Sequence, residues 1–138
     1  MTDTSSKKVG LLYEDLTYKV RGAIFEVYNS LGYGHKEMVY QKALSIALKQ
    51  NGIDFVSQPK LEVKYQNVKV GEYVPDFLVD NKLIIEIKSL EFMTKEADRQ
   101  MLFYLKGTGY FLGLLVNFGK NKLDIRRKVW GYISGNLL

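Results

Sequence analysis

The 138-residue sequence predicts a single α/β domain built around a mixed β-sheet. Two segments in the first third of the chain repeat apolar residues at steps of three and four, which is the spacing of a helix face. The middle of the chain instead alternates apolar and polar residues, as strands do when one face is buried. A wholly apolar run after a third helical segment is typical of a buried strand. Together these patterns indicate the order α-α-β-β-β-α-β-β.

Two helices open the predicted domain. The first covers residues 10–30, and the glycines of LGYG at 31–34 end it because glycine readily takes the left-handed conformation of a helix end. The second helix covers residues 36–50, and Asn-Gly at 51–52 ends it in the same way.

Three strands follow at residues 55–66, 68–79 and 82–90, where the hydrophobic period changes to two. Asn67 and the pair Asp80-Asn81 lie between them and suit turns, because these side chains tolerate left-handed backbone conformations. The strands therefore form an antiparallel meander.

A third helix is predicted at residues 94–106, with Thr94 as its N-cap and Gly107 at its end. YFLGLLVNF at 110–118 is interpreted as a buried strand, and KLDIRR at 122–127 as one more strand. The C-terminus is expected to be short and irregular, or helical.

Residues 1–9 are expected to be a disordered tail and residues 10–138 a single domain. The tail has no apolar core and so does not resemble a secretory signal. The longest apolar run has seven residues, far below the roughly 18 that span a bilayer, so no membrane partner is expected. With no cysteine, disulfides and zinc–thiolate sites are excluded, and a cytoplasmic setting fits best.

The formal net charge of +5 is compatible with a polyanionic partner such as nucleic acid. The segment KNKLDIRRK at 120–128 concentrates five cations around one aspartate. Its candidate substrate-binding residues are Lys120, Lys122, Arg126 and Arg127.

The stretch LIIEIKSL at 83–90 sets a glutamate and a lysine among large aliphatic residues. In a strand, Glu86 and Lys88 share one face. A three-residue hairpin loop before this strand would place Asp76 opposite Glu86, whereas a two-residue loop would put the two carboxylates on different faces. The sequence permits either register, and an exposed sheet face is the simpler explanation for the charges.

Two facing carboxylates repel each other unless a cation lies between them. Lys88 is one candidate, and a divalent ion is the better one. Mg²⁺ (or Mn²⁺) prefers oxygen ligands and is usually held by one or two protein carboxylates together with substrate phosphate. Lys88 would then orient or deprotonate the attacking water, or stabilise the phosphate in the transition state.

The residues Pro75-Asp76, followed by Glu86-x-Lys88, resemble the signature of the PD-(D/E)XK nuclease superfamily. That superfamily has a restriction-endonuclease-like core made of a helix, a three-stranded meander, a helix and a further strand. The predicted order from residue 36 onward has this shape, and the resemblance covers about residues 10–128.

Two further motifs sharpen the resemblance. Gly34-His-Lys-Glu37-Met-Val-Tyr40 looks like the motif that names the GxxExxY family within the superfamily. Gln100-x-x-x-Tyr104 resembles a motif of RecB-like members, and it lies on the helix after the E-x-K strand.

The resemblance implies a role for each matching residue. Asp76 and Glu86 would hold the metal, with the Ile87 carbonyl as a third ligand, and Lys88 would be the catalytic lysine. Glu37 would be an additional metal ligand or would position the water.

Gln100 would steady Lys88 or the scissile phosphate, and Tyr104, together with Tyr40, would contact the substrate. Each of these side chains also has a purely structural explanation. Glu37 favours the helix dipole at a helix N-terminus. Tyr40 and Tyr104 suit a core, and Gln100 suits a solvated helix face.

The leading hypothesis is therefore a divalent-metal-dependent nuclease acting on nucleic acid, with DNA as the expected substrate. A non-cleaving nucleic-acid-binding or regulatory module on the same fold is the alternative. A third reading is a small interaction protein that uses Trp130 and the tyrosines as an interface. A monomer has one active site, so cutting of both strands would by analogy suggest a homodimer.

Overall fold

The computed structural model describes residues 13–133 and 136–137. The predicted tail at 1–9 and the first residues of the predicted first helix lie outside them. Helix α1 (Glu14–Leu31) and helix α2 (Glu37–Gln50) confirm the first two predicted helices. The predicted stops are also confirmed, because Gly32 (φ 67°) follows α1 and Gly52 (φ 69°) follows α2 in left-handed conformations.

Short strands and one long helix make up the rest of the chain. They are β1 (Phe55–Ser57), β2 (Leu61–Tyr65), β3 (Val68–Tyr73), β4 (Phe77–Val79), β5 (Leu83–Lys88), α3 (Lys95–Thr108), β6 (Leu112–Phe118), β7 (Leu123–Val129), β8 (Tyr132–Ile133) and β9 (Asn136–Leu137).

The central sheet has the order β1-β4-β5-β6-β7 and is mixed, as predicted. Strands β5 and β6 run parallel, and the other neighbours run antiparallel. Helix α3 makes the crossover between the two parallel strands. Helices α1 and α2 pack on one face of the sheet over Leu83, Ile85 and Ile87, whereas α3 packs on the other face over Ile84. The predicted division of β5 into two faces is confirmed, and so is the restriction-endonuclease-like fold class.

Two of the predicted long strands are wrong, because each is broken near a proline. The segment predicted as a strand at 55–66 separates around Pro59 into β1 and β2, and the one at 68–79 separates at Val74–Asp76 into β3 and β4. Proline has no backbone N–H for a ladder and fixes φ, so it ends a central strand. Strands β2 and β3 instead form a separate hairpin that packs against α3.

The ends of the later elements differ slightly from expectation. Thr94 is the predicted N-cap of α3, and its hydroxyl accepts a hydrogen bond from Ala97 N at 3.1 Å. The helix continues past Gly107, however, and is capped by Gly109 at φ 84°. The C-terminus is neither irregular nor helical, because β8 and β9 pair with each other in antiparallel orientation. None of the helices in the described ranges is long and apolar enough to cross a bilayer.

Candidate active site

The hairpin between β4 and β5 sets the register of the candidate site. Val79 pairs with Leu83, so the loop has the three residues that the longer of the two predicted loops requires. Asp80 (φ 51°) and Asn81 (φ 54°) both take left-handed conformations, which their short polar side chains tolerate. The register predicted from the three-residue loop is therefore confirmed, and it brings Asp76 level with Glu86.

Asp76 lies immediately before the paired part of β4. The regular pairing of β4 with β5 begins at Phe77 and Ile85. Beyond it, the Asp76 carboxylate Oδ2 accepts a hydrogen bond from the backbone N–H of Ile87 at 2.7 Å. The Asp76 carbonyl accepts another from Gln58 N at 2.9 Å. Asp76 is thus fixed between β1 and β5 through its backbone and its side chain.

Glu86 is half-buried on the face of β5 that α3 covers, and burial raises its pKa to about 7. The negative charge of Asp76 acts in the same direction, while the positive charge of Lys88 opposes it. Burial also raises the pKa of Asp76, against the stabilising hydrogen bond from Ile87 N–H. Both carboxylates are therefore held in a place that disfavours two negative charges, which is the condition that a cation relieves.

Lys88 follows Glu86 on the same face of β5 and is half-buried. Its charge lowers the pKa of both Asp76 and Glu86, so it lies within the electrostatic reach of both groups. None of the salt bridges within 13–133 involves Lys88. The ammonium group is therefore near the carboxylates without being tied to either one.

Glu37 begins α2 and approaches the site from the opposite face of the sheet. Its Oε2 accepts a hydrogen bond from Ser89 N at 3.2 Å, and its charge raises the pKa of Asp76. The Ser89 hydroxyl donates to the carbonyl of His35 at 2.6 Å. Ser89 consequently fastens the segment that carries the G-x-x-E motif to the end of the E-x-K strand.

Asn117 supports the same strand end from β6. Its side chain is 2% exposed and makes two hydrogen bonds with the backbone of Leu90. Asn117 Oδ1 accepts from Leu90 N at 2.8 Å, and Nδ2 donates to Leu90 O at 3.0 Å. Sequence reasoning missed both Ser89 and Asn117. A single amide inside the apolar run 110–118 was the available signal for Asn117, because a buried polar side chain needs partners.

Tyr73 is a third residue that the sequence did not point to. It is buried, and its ring stacks on Tyr104 with the centroids 3.7 Å apart. Its hydroxyl makes no hydrogen bond of good geometry within the described chain, but it lies close enough to the Glu86 carboxylate to lower the pKa of that group. Burial, followed by the charge of Glu86, raises the pKa of Tyr73 well above its usual value. Tyr104 is therefore connected to Glu86 by the ring of Tyr73, on which it stacks.

Two residues of the recognised motifs make no side-chain hydrogen bond to Asp76, Glu86 or Lys88. Gln100 is exposed on α3, and its side chain makes no hydrogen bond to another described residue. Tyr40 is fully buried, where its hydroxyl donates to Gly32 O at 2.6 Å and its ring stacks on Phe118 at 4.2 Å. Tyr40 thus holds the loop between α1 and α2 from within the core.

The cations of the segment at 120–128 lie in different environments. Lys120 and Lys122 are exposed. Arg126 instead forms salt bridges with Asp124 at 3.2 Å and with Asp98 at 3.5 Å. Arg127, the next residue along β7, faces the side of the sheet that carries α1, where the charges of Arg21 and Glu14 act on it. The segment is therefore not one continuous basic surface.

The donor set fits a hard divalent cation. No group of three or more His, Cys, Asp or Glu side chains arranged to hold a metal occurs in the part of the chain that the structure describes. Mg²⁺, however, is usually bound by only one or two protein carboxylates and keeps several waters. Asp76 and Glu86, whose pKa values are raised by burial, are a pair of carboxylates that could hold such an ion.

Comparison with known proteins gave one match. The sequence model of the PD-(D/E)XK nuclease superfamily matches residues 14–128. Neither the curated proteins nor the solved structures contained a match to the chain. The matched range includes every element from α1 to β7, except the last residue of β7, and all the residues of the cluster described above.

Proposed function

The chain belongs to the PD-(D/E)XK nuclease superfamily, and from this membership we propose that it is a divalent-metal-dependent nuclease that hydrolyses phosphodiester bonds in DNA. Within the superfamily we place it with the GxxExxY family, because Gly34, Glu37 and Tyr40 match that motif. In this chain the loop that carries the motif is fastened to the E-x-K strand.

The observation that carries the proposal is the position of Asp76 beside Glu86, with Lys88 on the same strand face. A surface charge pair would explain Glu86 and Lys88, but it would not explain two carboxylates with pKa values raised by burial in the same place. Such an arrangement destabilises the protein unless a cation or a proton is bound there. A perturbed carboxylate pair is therefore a candidate functional site with a physical reason.

Asp76 and Glu86 would hold Mg²⁺ or Mn²⁺, with the Ile87 carbonyl as a further oxygen donor. The ion would supply electrophilic stabilisation of the phosphate and lower the pKa of a water molecule. The hydrogen bond from Ile87 N–H fixes the Asp76 carboxylate in its rotamer, so the ligand is oriented before the ion binds.

Lys88 would stabilise the charge that develops on the phosphate, or orient the water for in-line attack. Its amine is a point charge with three donors, which suits contact with phosphate oxygens. Glu37, held by Ser89 N–H, would position water on the side of the sheet where α2 begins. The Tyr73 hydroxyl, which lowers the pKa of Glu86, would favour the ionised carboxylate.

Gln100 would contact the substrate phosphate rather than Lys88, because its side chain is exposed. Lys120 and Lys122 would contact the nucleic-acid backbone, since both are exposed and form no salt bridge within the described residues. Such phosphate contacts give affinity without sequence recognition.

A cleavage assay tests the proposal. Labelled DNA and RNA, each single- and double-stranded, are incubated with the protein in Mg²⁺, Mn²⁺ or EDTA. Glu86→Gln and Lys88→Ala are expected to reduce the rate about 100-fold or more, because each removes a group that acts on the reacting atoms.

Glu72→Gln and Lys64→Ala are matched controls, since both residues are exposed on the β2–β3 hairpin away from the site. Circular dichroism and thermal unfolding verify that every variant is folded. Cleavage that continues at the full rate in Glu86→Gln would reject the proposed site. No cleavage by folded wild-type protein, together with salt-sensitive binding that does not need metal, would instead support the non-cleaving module.

A further inference from the structure

Two clefts adjoin at the edge of the sheet where β5 and β6 end. The first has a volume of about 490 Å³ and lies between the loop after α1 and the residues that follow Lys88. The second has a volume of about 310 Å³ and lies between the start of the α3 connection and the β6–β7 turn. Glu91 lines both clefts, so they are neighbours on one rim.

The rim carries three lysines that form no salt bridge within the described residues. Lys36 and Lys120 line the first cleft, and Lys122 lines the second. All three are exposed, and none belongs to a salt bridge within 13–133. Arg126 also lines the second cleft, but Asp98 and Asp124 pair with it.

The rim also carries three acidic side chains, and two of them are engaged within the described residues. Glu37 accepts a hydrogen bond from Ser89 N, and Asp124 pairs with Arg126. Glu91 is exposed on the ridge between the two clefts. Outside the pair of Arg126 and Asp124, the rim as a whole therefore presents three lysines and the two carboxylates of Glu37 and Glu91, so that the lysines outnumber the carboxylates by one.

Each cleft also contains one large exposed aromatic side chain. Tyr33 in the first cleft is 52% exposed, and Phe92 in the second is 68% exposed. Neither ring belongs to the hydrophobic core. Exposed aromatic rings interleaved with free cations form a typical surface for an unpaired nucleic-acid strand, whose bases stack on the rings while its phosphates meet the lysines.

We propose that these two clefts form a binding track for single-stranded nucleic acid, which rests on the proposed nuclease function and specifies its substrate as an unpaired strand. In a duplex the bases stack on each other and cannot stack on Tyr33 or Phe92. Both cleft volumes lie within or near the range of about 300–1,000 Å³ for pockets that hold small molecules, so each admits a nucleotide.

The track leads to the candidate active site. Glu37 and Ser89 line the first cleft and also border the cluster that contains Lys88. A strand that lies in both clefts therefore passes Glu37 and Ser89, the residue that follows Lys88 at the end of β5. The geometry selects unpaired ends, flaps or single strands over intact duplex.

Fluorescence anisotropy in EDTA tests the track without cleavage. The probes are a fluorescein-labelled oligo-dT and a blunt duplex of the same length. Wild-type protein is expected to bind oligo-dT more tightly than duplex. Tyr33→Ala and Phe92→Ala are each expected to weaken oligo-dT binding about tenfold, because each removes a stacking platform. Tyr33→Phe and Phe92→Tyr are expected to keep the wild-type affinity.

Salt titrations distinguish the contribution of the lysines to binding from that of the aromatic rings. Replacing Lys36, Lys120 or Lys122 by Ala is expected to lower the slope of log affinity against log salt by about 0.7 each. Tyr18→Ala and Lys19→Ala are matched controls, because both residues are exposed on α1 beside Asn51, at the other end of α2. Neither control is expected to change binding.

Tighter binding of duplex than of oligo-dT would contradict the proposed track. Wild-type affinity in Tyr33→Ala and Phe92→Ala would also contradict it. These outcomes are distinct from failure of the nuclease proposal, which depends on the metal dependence of cleavage and its loss in Glu86→Gln. A protein that cuts duplex in a metal-dependent manner, with no effect of Tyr33→Ala or Phe92→Ala, would keep the proposed function and reject the single-strand track.

Discussion

The carboxylate of Asp76 accepts a hydrogen bond from the backbone N–H of Ile87 at 2.7 Å. A side chain thus bonds the edge of β5 at the point where the backbone of β4 no longer pairs with it. The same carboxylate lies within the electrostatic influence of Glu86, Glu37 and Lys88. Asp76 therefore extends the pairing of β4 with β5 by one hydrogen bond, and it also forms part of the candidate metal site.

Replacing Asp76 is expected to separate these two roles. Asp76→Ala leaves Ile87 N–H without its acceptor and is expected to lower the free energy of unfolding by about 1–3 kcal/mol. Asp76→Asn keeps an acceptor oxygen and is expected to cost less than Asp76→Ala. Both variants are expected to lose Mn²⁺ binding in calorimetry. Equal stability of the alanine and asparagine variants in urea would contradict the structural role of the hydrogen bond.

The metal-free protein is expected to lose stability as the pH rises from about 4.5 to about 7. The pKa of Glu86 is 4.5 in the absence of the fold and about 7 in the folded protein. The folded state therefore binds the proton more tightly in this window, and its advantage disappears as the proton leaves. The difference corresponds to roughly 3 kcal/mol from this one group.

Glu86→Gln removes the titrating group and is expected to flatten this pH dependence, so the variant is more stable than wild type at pH 8. Urea unfolding in EDTA between pH 4.5 and pH 8 measures the effect. Glu72→Gln, in an exposed glutamate on β3, is the control and should keep the wild-type profile. A wild-type profile in Glu86→Gln would show that Glu86 is not the titrating group.

Divalent metal is expected to reverse the loss of stability at high pH. Metal competes with protons for the Glu86 carboxylate, so Mn²⁺ affinity should rise as the pH increases to about 7 and then level off. Saturating Mn²⁺ should therefore raise the unfolding midpoint at pH 8 more than at pH 5. Thermal unfolding with and without Mn²⁺ measures this difference, and an equal effect at both pH values would argue against binding at this carboxylate.

Ser89→Ala is expected to loosen the loop that carries the G-x-x-E motif. The substitution removes the hydroxyl that donates to His35 O at 2.6 Å and is expected to cost about 0.5–1.5 kcal/mol. Hydrogen exchange should become faster at residues 33–36, and the cleavage rate should fall. Ser89→Thr retains the hydroxyl and should restore both properties.

Ser45→Ala is the matched control, because the Ser45 hydroxyl bonds only to Gln41 O within α2, at 3.1 Å. Unchanged exchange at 33–36 in Ser89→Ala would show that other contacts, such as the hydrogen bond from the Tyr40 hydroxyl to Gly32 O, suffice to hold the loop.

Local chemistry limited the central hairpin to two registers, of which the structure has the one with the three-residue loop. Asn81 suits a left-handed position, and the alternation of β5 separates Glu86 and Lys88 from the aliphatic residues beside them. The structure confirms the three-residue loop and both faces. The apolar content of 110–118 likewise identified β6, whose residues are all buried. These features depend on contacts between residues that are close in sequence.

Other features depend on contacts that the sequence pattern does not record. The alternating pattern continues across Pro59 and Pro75, so it predicted two long strands where the structure has four short ones, although the prolines themselves argue against the long strands. The stacking of Tyr73 on Tyr104 joins β3 to α3, and the pairing of Arg126 with Asp98 joins β7 to α3. Both arise only when distant elements pack together, and they change the expected roles of the residues.

Strand β5 is divided into a first half, Leu83–Ile85, that pairs with strands on both sides and a second half, Glu86–Lys88, whose backbone pairs only with β6. The first half contributes only to folding, whereas the second half contains the core residue Ile87 and the two side chains of the proposed chemistry, Glu86 and Lys88. Glu86 and Lys88 can therefore be replaced without a change in the core. Under the proposed function, a single substitution at either position would end cleavage and is expected to leave a folded protein with its lysines and aromatic rings in place. This is a short evolutionary route from a nuclease to a protein that only holds nucleic acid.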